Sequence, residues 1–261
     1  MIRDINWASI RETFNDNEPF RHVVIDNFFI PEVAEKLSEE FPDPNATQMH
    51  VYKNPIENKL TLNNWNLFPT CTYRAFSMFG RENFIENMKM ISREYQLSFD
   101  YGLNGGGWHM HGNGGNLNVH LDYNVHPKLG DQRFINIIVY LTKDWKQEWG
   151  GGLELWSGSK NEPFCKEKTI DNEFNRAIIF DTTQNSWHGL PDSIKCPEGV
   201  YRKSIAAYFV RPSPNKTEQR GKALFVPRSD QKDNEEVLNI IRKRSDANTS
   251  AEVYQKMSDS K

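Results

Sequence analysis

The rhythm of hydrophobic and polar positions changes along the chain. Near the start, "FRHVVIDNFF" (20–29) reads as a strand, rich in β-branched and aromatic residues. "IPEVAEKLSEEFP" (30–42) predicts a helix, with Pro31 in its first turn and Pro42 stopping it. Residues 43–70, rich in Asn and Pro, predict a long excursion. A second amphipathic helix is predicted over 80–96, with Phe84, Ile85, Met88 and Ile91 on one side. The segment "YGLNGGGWHMHGNGGN" (101–116) is Gly/Asn-rich and predicts turns. From there to about residue 212 the pattern is strand-like, at 117–123, 133–141, 152–156, 176–181 and 202–211. "RFINIIVYL" is apolar almost throughout, which predicts a strand buried on both faces. Short strands between Gly/Pro/Asn loops make the chain mainly β with flanking helices: a sandwich, barrel or jelly roll. The tail is polar, with one predicted helix, "DNEEVLNIIRKRS" (233–245), whose leading acids and trailing bases suit the helix dipole. The last dozen residues are expected to be loose.

Length fits one sizeable domain, since β-sandwiches and barrels of 261 residues are routine. The expected organisation is a single domain over 1–212, its catalytic core about 101–212, and a polar extension over 213–261. A net charge of −3, with acids and bases interspersed, gives no footprint for nucleic acid or an anionic membrane. The start "MIRDINWASIRETF" carries charges where a secretory signal needs apolar residues, and no apolar run approaches membrane length. Cys71, Cys165 and Cys196 form no CxxC pair, which suits reduced thiols and a cytoplasmic location.

Candidate chemistry begins at "NVHLDY" (118–123). On a strand, positions i and i+2 share a face, so His120 and Asp122 project side by side. Alone, that pair reads either as a solvated strand face or as two-thirds of a metal site. A later histidine, His188 in "NSWHGL", and then Arg202, opening "RKSIAAYFV", favour the second reading. Two histidines and one carboxylate on one face of Fe(II) leave positions open for a bidentate cosubstrate and oxygen. A buried arginine is a natural fork for that cosubstrate's distal carboxylate.

At this point the sequence resembles the Fe(II)/2-oxoglutarate-dependent dioxygenases, most closely their prolyl-4-hydroxylase-like branch. "GNGGNLNVHLD" (112–122) resembles the family's Gly-rich approach to His-x-Asp, and "QRFINIIVYLTKDW" (132–145) its Arg-x-x-Thr…Tyr-Leu-Asn-x-x-Trp strand. "GGGLELW" (150–156), "AIIFDTTQNSWHGL" (177–190) and "RKSIAAYF" (202–209) follow in the family's order. The resemblance implies a double-stranded β-helix (jelly roll) in which His120, Asp122 and His188 bind Fe(II). It further implies that Arg202 and Tyr140 hold the 2-oxoglutarate C5 carboxylate, and that O2 is consumed, with ascorbate as an accessory reductant. Asn136 stands where many relatives carry Thr, and Arg133 stands where some relatives position substrate. Met110 replaces an expected tyrosine, and the interval from His188 to Arg202 is longer than usual. Asp122 disfavours halogenation, since related halogenases replace that carboxylate. The implied reaction is hydroxylation of an unactivated C–H bond, with proline in a peptide or protein the first expectation and a free amino acid, sugar or nucleoside the alternative.

Blander readings accompany each residue. His109 and His111 form a His-x-His, but no Glu follows at cupin spacing, so they read as pocket lining or loop polarity. Trp108, with His109, His111 and Arg133, is a candidate substrate contact, although tryptophan is more often core. Lys203 points to the strand face opposite Arg202. The different-class alternatives are a non-catalytic jelly-roll binding module and a zinc hydrolase using the same three ligands.

Overall fold

The apolar run around residue 135 forms the centre of the sheet because both of its faces find cover. In the computed structural model, which describes residues 1–183, 185–214, 222–246, 248–250 and 252–255, this run is β7 (Gln132–Tyr140). Ile135, Ile137 and Val139 face a helical layer, while Asn136, Ile138 and Tyr140 alternate to the other side. The preceding strands are β1 (His22–Ile25), β2 (His50–Asn54), β3 (Glu57–Leu62), β4 (Ser98–Phe99), β5 (Gly107–His111) and β6 (Asn116–Leu121). After β7 come β8 (Leu153–Gly158), β9 (Pro163–Ile170), β10 (Ala177–Asp181), β11 (Trp187–Leu190), β12 (Arg202–Arg211) and β13 (Leu224–Phe225).

All pairings are antiparallel, and the main order is β1-β10-β7-β12-β5-β3-β6-β11-β8-β9. Around that path β13 adds to β6, β2 to β3 and β4 to β12. The sheet curls into the half-barrel of a jelly roll, so that inward faces of β3, β5, β6, β7, β11 and β12 line one cavity.

The helices α1 (Trp7–Asp16), α2 (Pro31–Glu39), α3 (Thr70–Phe79) and α4 (Glu82–Ser92) bring Phe14, Leu37, Phe76, Phe79, Phe84 and Met88 into one core with the outer face of β7 and β12. At roughly 25 cal/mol per Å2 of apolar surface removed from water, such aromatic clusters dominate the stability of the layer. The tail carries α5 (Glu235–Ser245) and α6 (Glu252–Gln255), and Val237 and Ile241 of α5 pack with Phe225, Ala223 and Ile56. No helix among the described residues is long and apolar enough to cross a membrane.

Several expectations change. The first strand keeps only His22–Ile25, because Phe28 and Phe29 turn into the helical core. The 43–70 excursion contains the β2–β3 hairpin, whose turn is held by Asn54 Oδ1 accepting from the N–H groups of Ile56 and Glu57, both at 3.0 Å. The Gly/Asn-rich 101–116 segment contains β5, which sits between β3 and β12 rather than in a loop. Gly107 (φ +91°) permits this, since a Cβ there would lie 2.3 Å from the Leu62 carbonyl oxygen. The loose end expected for the last dozen residues falls mostly outside the described residues.

Candidate metal and cosubstrate site

β6 and β11 pair with His120 directly opposite His188, so the two rings lie 4.4 Å apart between centroids. Asp122, two residues beyond His120, extends the same face, and one ligand atom from each of the three lies within 4.8 Å of the others. All three residues are less than a tenth exposed.

Each imidazole is oriented by its own backbone. His120 Nδ1 donates to Asn118 O at 2.9 Å and His188 Nδ1 to Ser186 O at 2.8 Å. A carbonyl can only accept, so both Nδ1 atoms carry the proton and both Nε2 lone pairs face the cavity. Burial, then the neighbouring His120, lowers the His188 pKa to about 4, which keeps its lone pair available at neutral pH. Burial alone would raise the Asp122 carboxyl. The neighbouring His120, His188 and Arg133 outweigh it and hold the group well below the usual range. Asp122 Oδ2 also accepts from Tyr208 Oη at 3.1 Å, fixing the carboxylate plane.

A second cluster lies beside the triad. Arg202 is 2% exposed, and its Nε donates to Gly151 O at 2.7 Å. Its guanidinium carbon lies 4.8 Å from the Tyr140 ring centroid. Burial raises the Tyr140 hydroxyl pKa and Arg202 pulls it back, yet no well-directed hydrogen bond joins the two groups. Tyr140 Oη, Asn136 Oδ1 and both His111 nitrogens are buried without hydrogen-bond partners among the described residues. Such orphaned polar atoms cost stability unless a ligand satisfies them. A dianion with one carboxylate near Arg202 and Tyr140 and a 2-oxo acid end toward the triad fits the donors among these groups, the Arg202 guanidinium, Tyr140 Oη and an N–H of His111.

Arg133 belongs to the site differently from expectation. It is buried between the rings of Tyr123 and Tyr208, with centroids 3.6 and 3.5 Å from its guanidinium carbon, and Nη1 lies 3.9 Å from Asp122 Oδ2. Its Nη2 donates to Asn104 O and Tyr123 Oη. Arg133 therefore orients Asp122 and leaves little of itself for a substrate. Trp108 is a correction: it occupies the opposite face of β5 from His109 and His111 and packs against Phe41 and Phe68. The half-buried His109 lines the cavity, and burial, with Lys59 and Arg202 nearby, lowers its pKa to about 3. His111 is held well below its ordinary value by burial, then Arg202 and Lys59. Lys203 faces away, donating to Ser38 O at 3.3 Å.

Sequence reasoning missed the residues that close the cavity: Tyr52, Glu57 and Lys59 from the hairpin, and Phe225 and Arg244 from the tail. Phe225 stacks on His120 at 4.9 Å between centroids. A larger groove, about 810 Å3, runs past Trp156, Phe164 and Pro227, but none of the triad lines it.

Residues 106–210 match the family model of the 2OG-Fe(II) oxygenase superfamily. That segment contains all three candidate ligands and Arg202. The match is thus to the segment that carries the candidate site. That segment and the three clustered ligands make the protein an oxygenase that uses Fe(II) as its metal and 2-oxoglutarate as cosubstrate. Among solved structures, a prolyl-4-hydroxylase of Pseudomonas putida is similar with a TM-score of 0.56 and 13% identity, covering 78% of this chain and 100% of its own. A prolyl 4-hydroxylase of Phytophthora capsici is similar with a TM-score of 0.54 and 18% identity, covering 98% of this chain and 84% of its own. A Trichoplax adhaerens prolyl hydroxylase, in complex with a hypoxia inducible factor peptide fragment, has a TM-score of 0.50 and 15% identity, covering 80% and 94%. At these identities the likeness is one of fold. No curated protein matches in sequence.

Proposed function

We propose that the protein hydroxylates a C–H bond while 2-oxoglutarate and O2 are converted to succinate and CO2, one oxygen atom entering succinate and the other the product. Fe(II), when bound, supplies the oxygen activation that no side chain can perform. His120, Asp122 and His188 would hold it, each imidazole through its unprotonated Nε2 and Asp122 through a carboxylate oxygen. Arg202 and Tyr140 bind the distal carboxylate of 2-oxoglutarate, and Asn136 and His111 line its flank. Tyr208 and Arg133 keep Asp122 in one orientation.

The observation that carries this reading is the opposition of His188 and His120 beside Asp122, in the same cavity as a buried arginine. A pure binding module would need neither three clustered ligands nor an adjoining anion fork. The test is Fe(II)-dependent conversion of 2-oxoglutarate to an equal amount of succinate by the purified protein. Succinate formation that ignores Fe(II) would refute the reading.

For the substrate, an amino-acid side chain in a peptide and a free small molecule both agree with the fold. One observation favours the small molecule. The cavity holds only about 120 Å3 and is walled by the β2–β3 hairpin, Phe225 and Arg244, whereas ligand clefts generally span roughly 300–1,000 Å3.

A further inference from the structure

The strand that carries His120 is paired along both edges, and one of its partners comes from the tail. β11 runs along one edge of β6 and sets His188 opposite His120. Along the other edge, β3 pairs with Asn116 and Leu117, at the end of β6 away from His120. β13 takes up the remainder: Leu224 pairs with Leu121 and Phe225 with His120. His120 therefore stands between His188 on one side and Phe225 on the other. β13 lies beyond residues 106–210, the segment that matches the oxygenase family model. One buried residue ties it down. Asn118 Nδ2 donates to Val226 O at 3.0 Å and to Gln231 Oε1 at 2.7 Å, and its Oδ1 accepts from Arg228 Nη1 at 3.1 Å. The carbonyl of the same Asn118 accepts from His120 Nδ1 at 2.9 Å, so the tail and the metal ligand share an anchor. The two β13 side chains part company. Leu224 packs with Val119, Leu121 and Trp187, away from the cavity. Phe225, 3% exposed, lines the cavity and lies over the His120 ring, 4.9 Å between centroids and 22° between planes.

Two physical consequences follow from that placement. An extended peptide commonly binds by adding a strand to a free sheet edge. Beside His120 that edge is already paired with β13, so a peptide finds no backbone to pair with there. The second consequence is one of space. The cavity holds about 120 Å3, the share of about four water molecules at roughly 30 Å3 each, and 2-oxoglutarate takes the Arg202 end of it. What remains beside the metal ligands is bounded by the Phe225 ring. Resting on the oxygenase reading above, we propose that β13 is an intramolecular wall of the active site and that Phe225 is a specificity-determining residue. It restricts the substrate to compact molecules and excludes polypeptide chains. Truncating a buried aromatic leaves space the size of its ring, and an apolar cavity of that size can admit an aromatic guest. The wall can therefore be opened by one substitution and probed by size.

The test uses protein loaded with Co(II), whose visible spectrum responds to a change of ligand, and with N-oxalylglycine, an unreactive stand-in for 2-oxoglutarate. Imidazole and 4-phenylimidazole are titrated as metal ligands that differ by one ring. Wild-type protein should bind the phenyl compound at least about tenfold more weakly than imidazole, since a misfit of even one methylene in a closed pocket costs that much. Phe225→Ala should close most of that gap and Phe225→Leu part of it. The leucine variant decides the matter if the alanine variant loses its cooperative melt. Leu224→Ala is the control for a loosened tail: it removes packing on the far face of the same strand and should leave the gap unchanged. Equal binding of the two compounds by wild-type protein would overturn the proposal. So would a gap that survives in both Phe225 variants, or one that Leu224→Ala closes as fully. A proline-containing peptide that displaces imidazole from the wild-type protein would overturn it too. Failure of the underlying reading is separate: it would appear as wild-type protein that converts no 2-oxoglutarate with Fe(II), with or without a second compound.

Discussion

Replacing Arg202 by alanine should strike the 2-oxoglutarate requirement and spare the metal. Its guanidinium is buried, and its Nε is already committed to Gly151 O at 2.7 Å, so the fork cannot swing away from the cavity. Removing it deletes at least one charge-assisted hydrogen bond, worth about 1.5–3 kcal/mol, or roughly ten- to a hundredfold in affinity. The true loss should lie toward the upper end, because the ligand carboxylate would stay in a desolvated pocket with only Tyr140 to face it. Arg202→Lys should recover little, since an ammonium has no Nε to donate to Gly151 and no planar fork. Lys203→Ala is the control. That side chain lies on the opposite face, over Phe41 with its nitrogen 5.4 Å from the ring centroid, and should change 2-oxoglutarate affinity less than about twofold. The assay is calorimetric titration of 2-oxoglutarate into Mn(II)-loaded protein, with Mn(II) affinity measured in parallel. A larger effect from Lys203→Ala than from Arg202→Ala, or equal loss of metal and cosubstrate affinity in Arg202→Ala, would refute the reasoning.

Tyr208→Phe removes the donor to Asp122 Oδ2 and should weaken Mn(II) binding about 10–100-fold with little change in thermal stability, checked by metal titration and melting. Trp108→Ala should cost about 3–5 kcal/mol of folding stability in urea, because the indole packs against Phe41 and Phe68 in the helical core. In the metal-free protein, His188 and His109 have folded pKa values of about 4 and about 3, below the ordinary 6.5. Between those values and 6.5 the unfolded chain binds protons that the folded chain does not, so stability should fall as pH drops from about 6.5 to 4. The slope is about 1.4 kcal/mol per pH unit for each histidine fully in its window, read by urea denaturation.

The triad and Arg202 were legible because they sit on strands whose two-residue periodicity fixes a face, and because their order along the chain follows that of a known family. The continuous apolar character of β7 likewise announced burial on both sides. Other elements gave no such local signal. The N-terminus of α3 is capped from a distance: Glu40 accepts from the N–H groups of Cys71 and Thr72 at 3.2 and 2.7 Å. No residue beside the helix marks that cap, since Pro69 precedes it without a side-chain cap. Strand β9 is an exposed edge carrying Lys166, Glu167 and Lys168, which protects against edge pairing but erases the alternation that predicts a strand. The tail's return to β6 depends on Asn118, which donates to Val226 O at 3.0 Å and to Gln231 Oε1 at 2.7 Å. Nothing local to 222–226 signals that pairing, so Phe225 and Arg244 could not be placed at the site. The hairpin left a trace: Asn54 before Pro55 is a turn signal inside what otherwise reads as an excursion.

The central claim is that His120, Asp122 and His188 together hold Fe(II) with 2-oxoglutarate bound beside it. The direct measurement is the visible spectrum of the anaerobic protein as Fe(II) and then 2-oxoglutarate are added. A weak charge-transfer band should appear only when both are present, saturate at one equivalent of each, and be lost in His188→Ala. A band of full intensity in His188→Ala, or no band in the wild-type protein at saturating Fe(II) and 2-oxoglutarate, would contradict the account.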